Sequence, residues 1–194
     1  YRPAGELEHP EKKTLIEKFF QCNWETMIKP YPRYKELHQL RQSKEFHEFS
    51  EQELLDLQTW FNLAWFGFAA RQQYPELNEL TQKDRNFSKE DKHRVLAIQQ
   101  NILEEILPLY QKIDQKKQIE ISTTPYYHPI LPLVYDTNIA RRCLMQEPLP
   151  ENSSYPEDAR QHIKKAKTLY QEIFGHEPAG FWPAEGSVSP EIAE

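Results

Sequence analysis

Gly180-Phe181-Trp182-Pro183-Ala184-Glu185-Gly186-Ser187-Val188-Ser189 is the stretch on which the reading of this chain turns. A helical pattern that stops at Gly175 comes before it, and residues 179–183 are expected to be a short buried strand. A lone carboxylate, Glu185, then stands among small residues. Rings and a carboxylate at the end of a strand suit a sugar-cleaving site. The rings can stack on a pyranose face, and the carboxylate can meet the anomeric carbon. Each residue also has a plainer role. Glu185 is either the reacting carboxylate or a solvated loop residue that caps its turn. Trp182 either walls a sugar subsite or packs against the preceding helix.

Working outward, Gln118-Ile119-Glu120-Ile121-Ser122-Thr123-Thr124-Pro125-Tyr126-Tyr127-His128-Pro129 lies about one βα unit upstream. Residues 119–123 alternate and are rich in β-branched side chains, which predicts a strand. Pro125, Pro129 and Pro132 predict an irregular loop after it, and Asp136 can cap a short helix over 137–145. Between the two segments, Pro156, Glu157 and Asp158 open a helix with the apolar face Ala159, Ile163, Ala166, Tyr170 and Ile173. Strand, helix, strand implies a right-handed parallel crossover. In parallel barrels the reactive groups collect at the C-terminal strand ends. Tyr126, Tyr127, His128 and Glu185 are therefore expected around one cleft. His128 is either a donor to a sugar hydroxyl or a structural imidazole holding the proline-rich loop. Glu120 faces opposite to Ile119 and Ile121, either as a sugar ligand or as an ion-pair partner for an arginine such as Arg141.

The first two thirds of the chain read as helices. Pro10 suits a first helical turn, with Leu15, Phe19 and Phe20 on one apolar face. Pro30 and Pro32 force an extended link, and 34–47 is a short polar helix candidate. Ser50-Glu51-Gln52-Glu53 is a capping box. Behind it Leu54, Leu57, Phe61, Trp65 and Phe68 recur at helical spacing, in a helix ended by Pro75. Trp60 and Phe61 are assigned to packing, and Trp24 and Trp65 lie in the same helical part. Ser88-Lys89-Glu90-Asp91 is a second cap, followed by the stripe Val95, Ile98, Ile102 and Ile106 up to Pro108. Residues 110–117 read as a polar linker or a helix end.

Composition narrows the function classes. The net charge of −6 argues against a nucleic-acid backbone as partner. No apolar run is long enough to cross a bilayer. Cys22 and Cys143 have no metal or redox spacing, so a reduced, cytoplasmic setting is expected. The histidines are scattered, so no metal site is expected. The chain starts at Tyr1 and stops at Glu194 in mid-pattern, and is read as a piece of a longer protein.

Together with Asn23-Trp24-Glu25-Thr26-Met27-Ile28-Lys29-Pro30-Tyr31-Pro32-Arg33-Tyr34 and Leu57-Gln58-Thr59-Trp60-Phe61-Asn62-Leu63-Ala64-Trp65-Phe66, these segments resemble glycoside hydrolase family 57, the α-amylase, amylopullulanase and glucanotransferase family. The resemblance covers nearly the whole chain and is strongest over 123–133 and 180–189. It implies an α/β fold, part of an incomplete (β/α)7 barrel with a large helical insertion. Residues 1–117 would be that insertion, and 118–194 the βαβ portion carrying both motifs.

The resemblance further implies a retaining enzyme acting on α-glucans or maltooligosaccharides, with Glu185 as nucleophile and His128, Tyr126, Tyr127, Trp182 and Glu120 around the sugar. No cofactor is expected. The acid/base aspartate would come from a later motif beyond residue 194, and the family's opening His-Gln-Pro string would precede Tyr1. The partner is therefore the remainder of the catalytic domain, and the chain alone is expected to be inactive. The rival readings are a non-enzymatic helical module that binds glucan or protein, and a degenerate member that binds glucan without cleaving it.

Overall fold

A computed structural model describes residues 2–193. Helices dominate the described residues, and the chain divides into two compact units, Tyr1–Ile106 and Leu107–Glu194.

The first unit contains α1 (His9–Lys18), α2 (Pro32–Leu40), α3 (Glu51–Leu63), α4 (Phe68–Gln73) and α5 (Glu76–Lys83); α6 (Lys89–Gln115) begins in it. α3 opens on the expected capping box. The Glu53 N–H donates to Ser50 Oγ at 3.2 Å, and the Ser50 N–H donates to Glu53 Oε2 at 2.8 Å. Leu54, Leu57, Trp60 and Leu63 then lie fully buried, as their spacing requires. Trp60 stacks on Tyr31 with centroids 4.6 Å apart and donates its indole N–H to the Asp84 carbonyl at 2.6 Å. Phe61 stacks on Phe19 at 4.3 Å, so both aromatics pack as expected.

One charge sits inside this core. Asp56 is fully buried and accepts from Arg33 Nε (2.8 Å), Gln52 Nε2 (2.9 Å) and the Phe87 N–H (3.0 Å). Three donors offset a desolvation that an unpaired carboxylate could not survive. They tie α2 and α3 to the segment leading into α6.

Expectations for this helical region are corrected at several points, and the helix expected over 34–47 opens at Pro32 and ends at Leu40. The helix carrying Leu54 does not run on to Pro75 but ends at Leu63. The Trp65 and Phe66 N–H groups reach back only three residues, to Asn62 and Leu63, which tightens the last turn. Gly67 is then extended, and Arg71 donates to the Leu63 and Phe66 carbonyls at 3.1 Å each. Phe68 is consequently 91% exposed, off the apolar stripe. Further on, α5 has no counterpart in the sequence reading. Finally, α6 does not stop at Pro108 but passes through it to Gln115. A proline removes one helical hydrogen bond, a loss that anchored flanking turns can absorb. Beyond it, Gln111 Nε2 donates to the Ile173 carbonyl at 2.5 Å.

The second unit holds the end of α6, α7 (Leu131–Tyr135), a 3-10 turn at Thr137–Arg142, α8 (Pro156–Phe174) and α9 (Pro190–Ala193). α8 starts at Pro156 and is stopped by Gly175, whose φ of 80° needs no Cβ accommodation. Ala159, Ala166 and Tyr170 are its buried face. Asp136 caps the 3-10 turn by accepting from the Asn138 N–H at 2.8 Å.

The two expected strands are not formed, and no strand occurs among the described residues. Segments 119–123 and 179–183 meet in one isolated parallel bridge, Thr123 with Phe181. The Thr123 N–H donates to the Gly180 carbonyl at 3.2 Å, and the Trp182 N–H donates to the Thr123 carbonyl at 2.7 Å. Two segments without further neighbours cannot sustain a longer ladder. In addition, the Ile121 carbonyl accepts from the Tyr170 hydroxyl at 3.0 Å. The pairing is parallel, as a βαβ crossover requires, but the segments are bridged loops rather than strands.

Candidate active site

The Thr123–Phe181 bridge sets two turns in matching register. Two residues after each bridging residue comes a proline: Pro125 on one side, Pro183 on the other. Each proline carbonyl accepts from the N–H three residues on, from His128 at 2.8 Å and from Gly186 at 3.0 Å. In both turns the third and fourth residues are left-handed: Tyr127 (φ 63°) and His128 (φ 54°), Glu185 (φ 54°) and Gly186 (φ 66°). The two motifs therefore fold as side-by-side copies of one turn.

This conformation is disfavoured for residues with a Cβ, by roughly 1–2 kcal/mol each. Six non-glycine residues have positive φ among those described, and three of them are Tyr127, His128 and Glu185. Backbone held in sparsely populated regions gathers at functional sites, where the surrounding structure imposes it.

The turns bring two of the expected site residues together. His128 Nε2 lies 3.4 Å from Glu185 Oε1, with the two side chains 48% and 71% exposed. This is an ion-pair distance. On the other side of the ring, Nδ1 lies 2.9 Å from Thr124 Oγ1. With the Thr124 hydroxyl donating to Nδ1, the Nε2–H is left facing the carboxylate. Such a neighbour faces one carboxylate oxygen and leaves the other open to solvent.

The remaining candidates surround this pair unequally. The Tyr126 N–H donates to the His162 carbonyl on α8 at 3.1 Å, and His162 Nδ1 donates to the Tyr126 carbonyl. The Tyr126 ring packs on Tyr127 at 4.5 Å, and Tyr127 is 82% exposed. Trp182 is 62% exposed, with its ring available to a ligand. His128, Tyr126 and Tyr127 line an open groove of about 410 Å³ against α8. Glu185, Trp182 and Glu120 do not line it. Glu120 is exposed and lines a separate groove of about 630 Å³ with Asp114, Tyr170 and His176. Arg141, its alternative partner, donates instead to the Glu147 carbonyl at 2.9 Å.

Two supporting residues escaped the sequence reading. Thr124 carries only the weak signal of sitting four residues before His128. His162 carries no local signal, because the chain segment it clamps is 36 residues away.

A family model for glycosyl hydrolase family 57 matches residues 5–194. The chain belongs to glycosyl hydrolase family 57. No curated protein and no solved structure matches it. Membership in family 57 implies glycoside hydrolase or transferase activity for the full-length protein and a carbohydrate as substrate. Among the described residues of this family 57 chain, no helix is long and apolar enough to cross a membrane.

Proposed function

We propose that this chain is the middle of the catalytic domain of a retaining glycosidase or glucanotransferase acting on α-glucans. Glu185 is its nucleophile. The observation that carries this reading is the pair of register-matched turns holding His128 Nε2 at 3.4 Å from an exposed Glu185 carboxylate. Residues 1–117 are a helical insertion of that domain, and 118–194 contribute the βαβ part of an incomplete (β/α)7 barrel. The additional strands come from the rest of the protein.

In the first step the free Glu185 oxygen attacks the anomeric carbon. The glycosidic C–O bond breaks, and the departing oxygen takes a proton from an aspartic acid outside this chain. Water, or the hydroxyl of a second glucan, then displaces the ester after giving its proton to the same aspartate. In the free site the single His128 N–H, on Nε2, faces one Glu185 oxygen, and with glucan bound it donates to a sugar hydroxyl instead. Tyr126, Tyr127 and Trp182 offer faces to the pyranose rings, and Glu120 serves a more distant sugar. Water exclusion at the ester decides between hydrolysis and transfer. The free thiols of Cys22 and Cys143 fit a reduced, cytoplasmic setting.

Glu185→Gln in the full-length protein tests this proposal. It is expected to lower turnover by about a thousandfold or more with glucan binding retained, and unchanged turnover overturns it. The first unit, with its own core, also fits a binding module. That reading predicts glucan or protein binding by the full-length wild-type protein without turnover.

A further inference from the structure

Outside the candidate site, His176 occupies a position that restricts its protonation state. Its Nε2 lies 2.8 Å from Asp114 Oδ2, at the end of α6. Its Nδ1 lies 2.9 Å from the Glu177 carbonyl oxygen. A carboxylate and a carbonyl can only accept, so both ring nitrogens must donate. The neutral ring, with a single N–H, would leave one of these oxygens facing a lone pair. Asp114 is largely sheltered, its side chain 11% exposed, so loss of its donor is not freely made good by water.

The contact sits where two chain segments set out toward the site. α6 ends just beyond Asp114, whose carbonyl accepts from the Lys117 N–H at 2.7 Å, and 118–123 then runs to the bridge. His176 follows the Gly175 stop of α8, and 177–181 runs to the same bridge. The His176–Asp114 contact therefore closes at one end the loop that the Thr123–Phe181 bridge closes at the other.

We propose that His176, as an imidazolium, is a positioning residue that sets the Thr123–Phe181 bridge and makes its closure depend on pH. The charged and titratable groups that line the groove with His176 are Asp114 on α6, Lys117 and Glu120 on the following segment, Tyr170 on α8, and Glu177 beside it. Glu177 is itself paired with Lys167 at 3.1 Å. The Asp114 hydrogen bond, and after it the Glu177 carbonyl, raise the His176 pKa above the ordinary histidine value. The contact is thus fully made below about pH 6.5 and is lost as pH rises through the raised value. This inference goes beyond the role given to Glu185 and stands or falls separately, because its readout is not activity.

The test is amide hydrogen exchange at Thr123 and Trp182 in this chain, corrected for intrinsic rates, between pH 6 and 9. An opening controlled by one proton changes by up to about tenfold per pH unit. Wild type is expected to lose protection in such a step. His176→Gln is expected to be less protected at low pH and to lack the step. Asp114→Asn is expected to move the step to lower pH. The same step in His176→Gln, which would assign it to His128 or His162, overturns the proposal. If His176→Gln does not fold, ring nitrogen shifts of wild type decide. An imidazolium at pH 6.5 supports the proposal, and a neutral His176 ring there overturns it.

Discussion

The two units are stabilised in different ways. Among the described residues, twenty buried apolar side chains belong to Tyr1–Ile106 and only five to Leu107–Glu194. The first unit is a core of interlocked rings and leucines around Trp60. The second is assembled from turns, caps and side-chain to backbone hydrogen bonds: Tyr170 to Ile121, Gln111 to Ile173, His162 to Tyr126. Burial is non-directional and tolerant of small displacements, whereas hydrogen bonds fix a chain's direction and register. A site that needs a carboxylate held in a strained turn draws on the second kind of construction.

The contrast is sharpest at Trp60. Trp60→Ala is expected to cost about 3–5 kcal/mol, as truncating a fully buried aromatic does. Urea denaturation followed by hydrogen exchange at each residue measures it. Collapse of protection across 2–106 with the Trp182 amide still protected sharpens the comparison. Equal loss in both units breaks it.

A smaller effect is expected at Glu185, where backbone strain rather than burial is in question. Glu185→Gly should be more stable than Glu185→Ala by roughly 1 kcal/mol, because only glycine occupies φ 54° without penalty. Thermal denaturation of the two variants checks this, and an alanine variant of equal or greater stability would remove the strain argument.

The smallest effect concerns Glu191, whose carboxylate pairs with Arg142 at 2.5 Å. The Arg142 hydrogen bond lowers its pKa to about 2. A depressed folded-state pKa contributes stability that is complete above the ordinary glutamate range and is lost as pH falls through about 2. Carboxyl chemical shifts should show Glu191 titrating at that low value in wild type and at a higher value in Arg142→Ala. Titration in the ordinary range in wild type would mean the pair does not hold α9.

Local signals in the sequence were reliable where a few neighbouring residues decide the outcome. The Ser50–Glu53 box, the Asp136 cap, Pro156 at the start of α8 and Gly175 at its end all depend on contacts within four residues. Periodicity identified Trp60 as core but not the break after Leu63. That break uses Arg71, eight residues further on, as a second donor to the Leu63 carbonyl. At the site, Glu185 and His128 were legible as candidates from their motifs. The left-handed turns that aim them were not, since neither Tyr127 nor Glu185 is a residue whose type signals positive φ.

The amino-acid sequence alone determined the helical character of the chain, the ends of its best-capped helices, part of its main core (Leu54, Leu57, Trp60, Val95 and Ile98) and the family to which it belongs. These follow from side-chain chemistry at short separations and from strings specific enough to match without coordinates. Only the tertiary structure decided that 119–123 and 179–183 meet in a single bridge, that Asp56 is satisfied by three donors, and that His128 stands beside Glu185. Each of these joins residues between 4 and about 60 positions apart in the chain, and most depend on which neighbours are present to accept or donate a hydrogen bond.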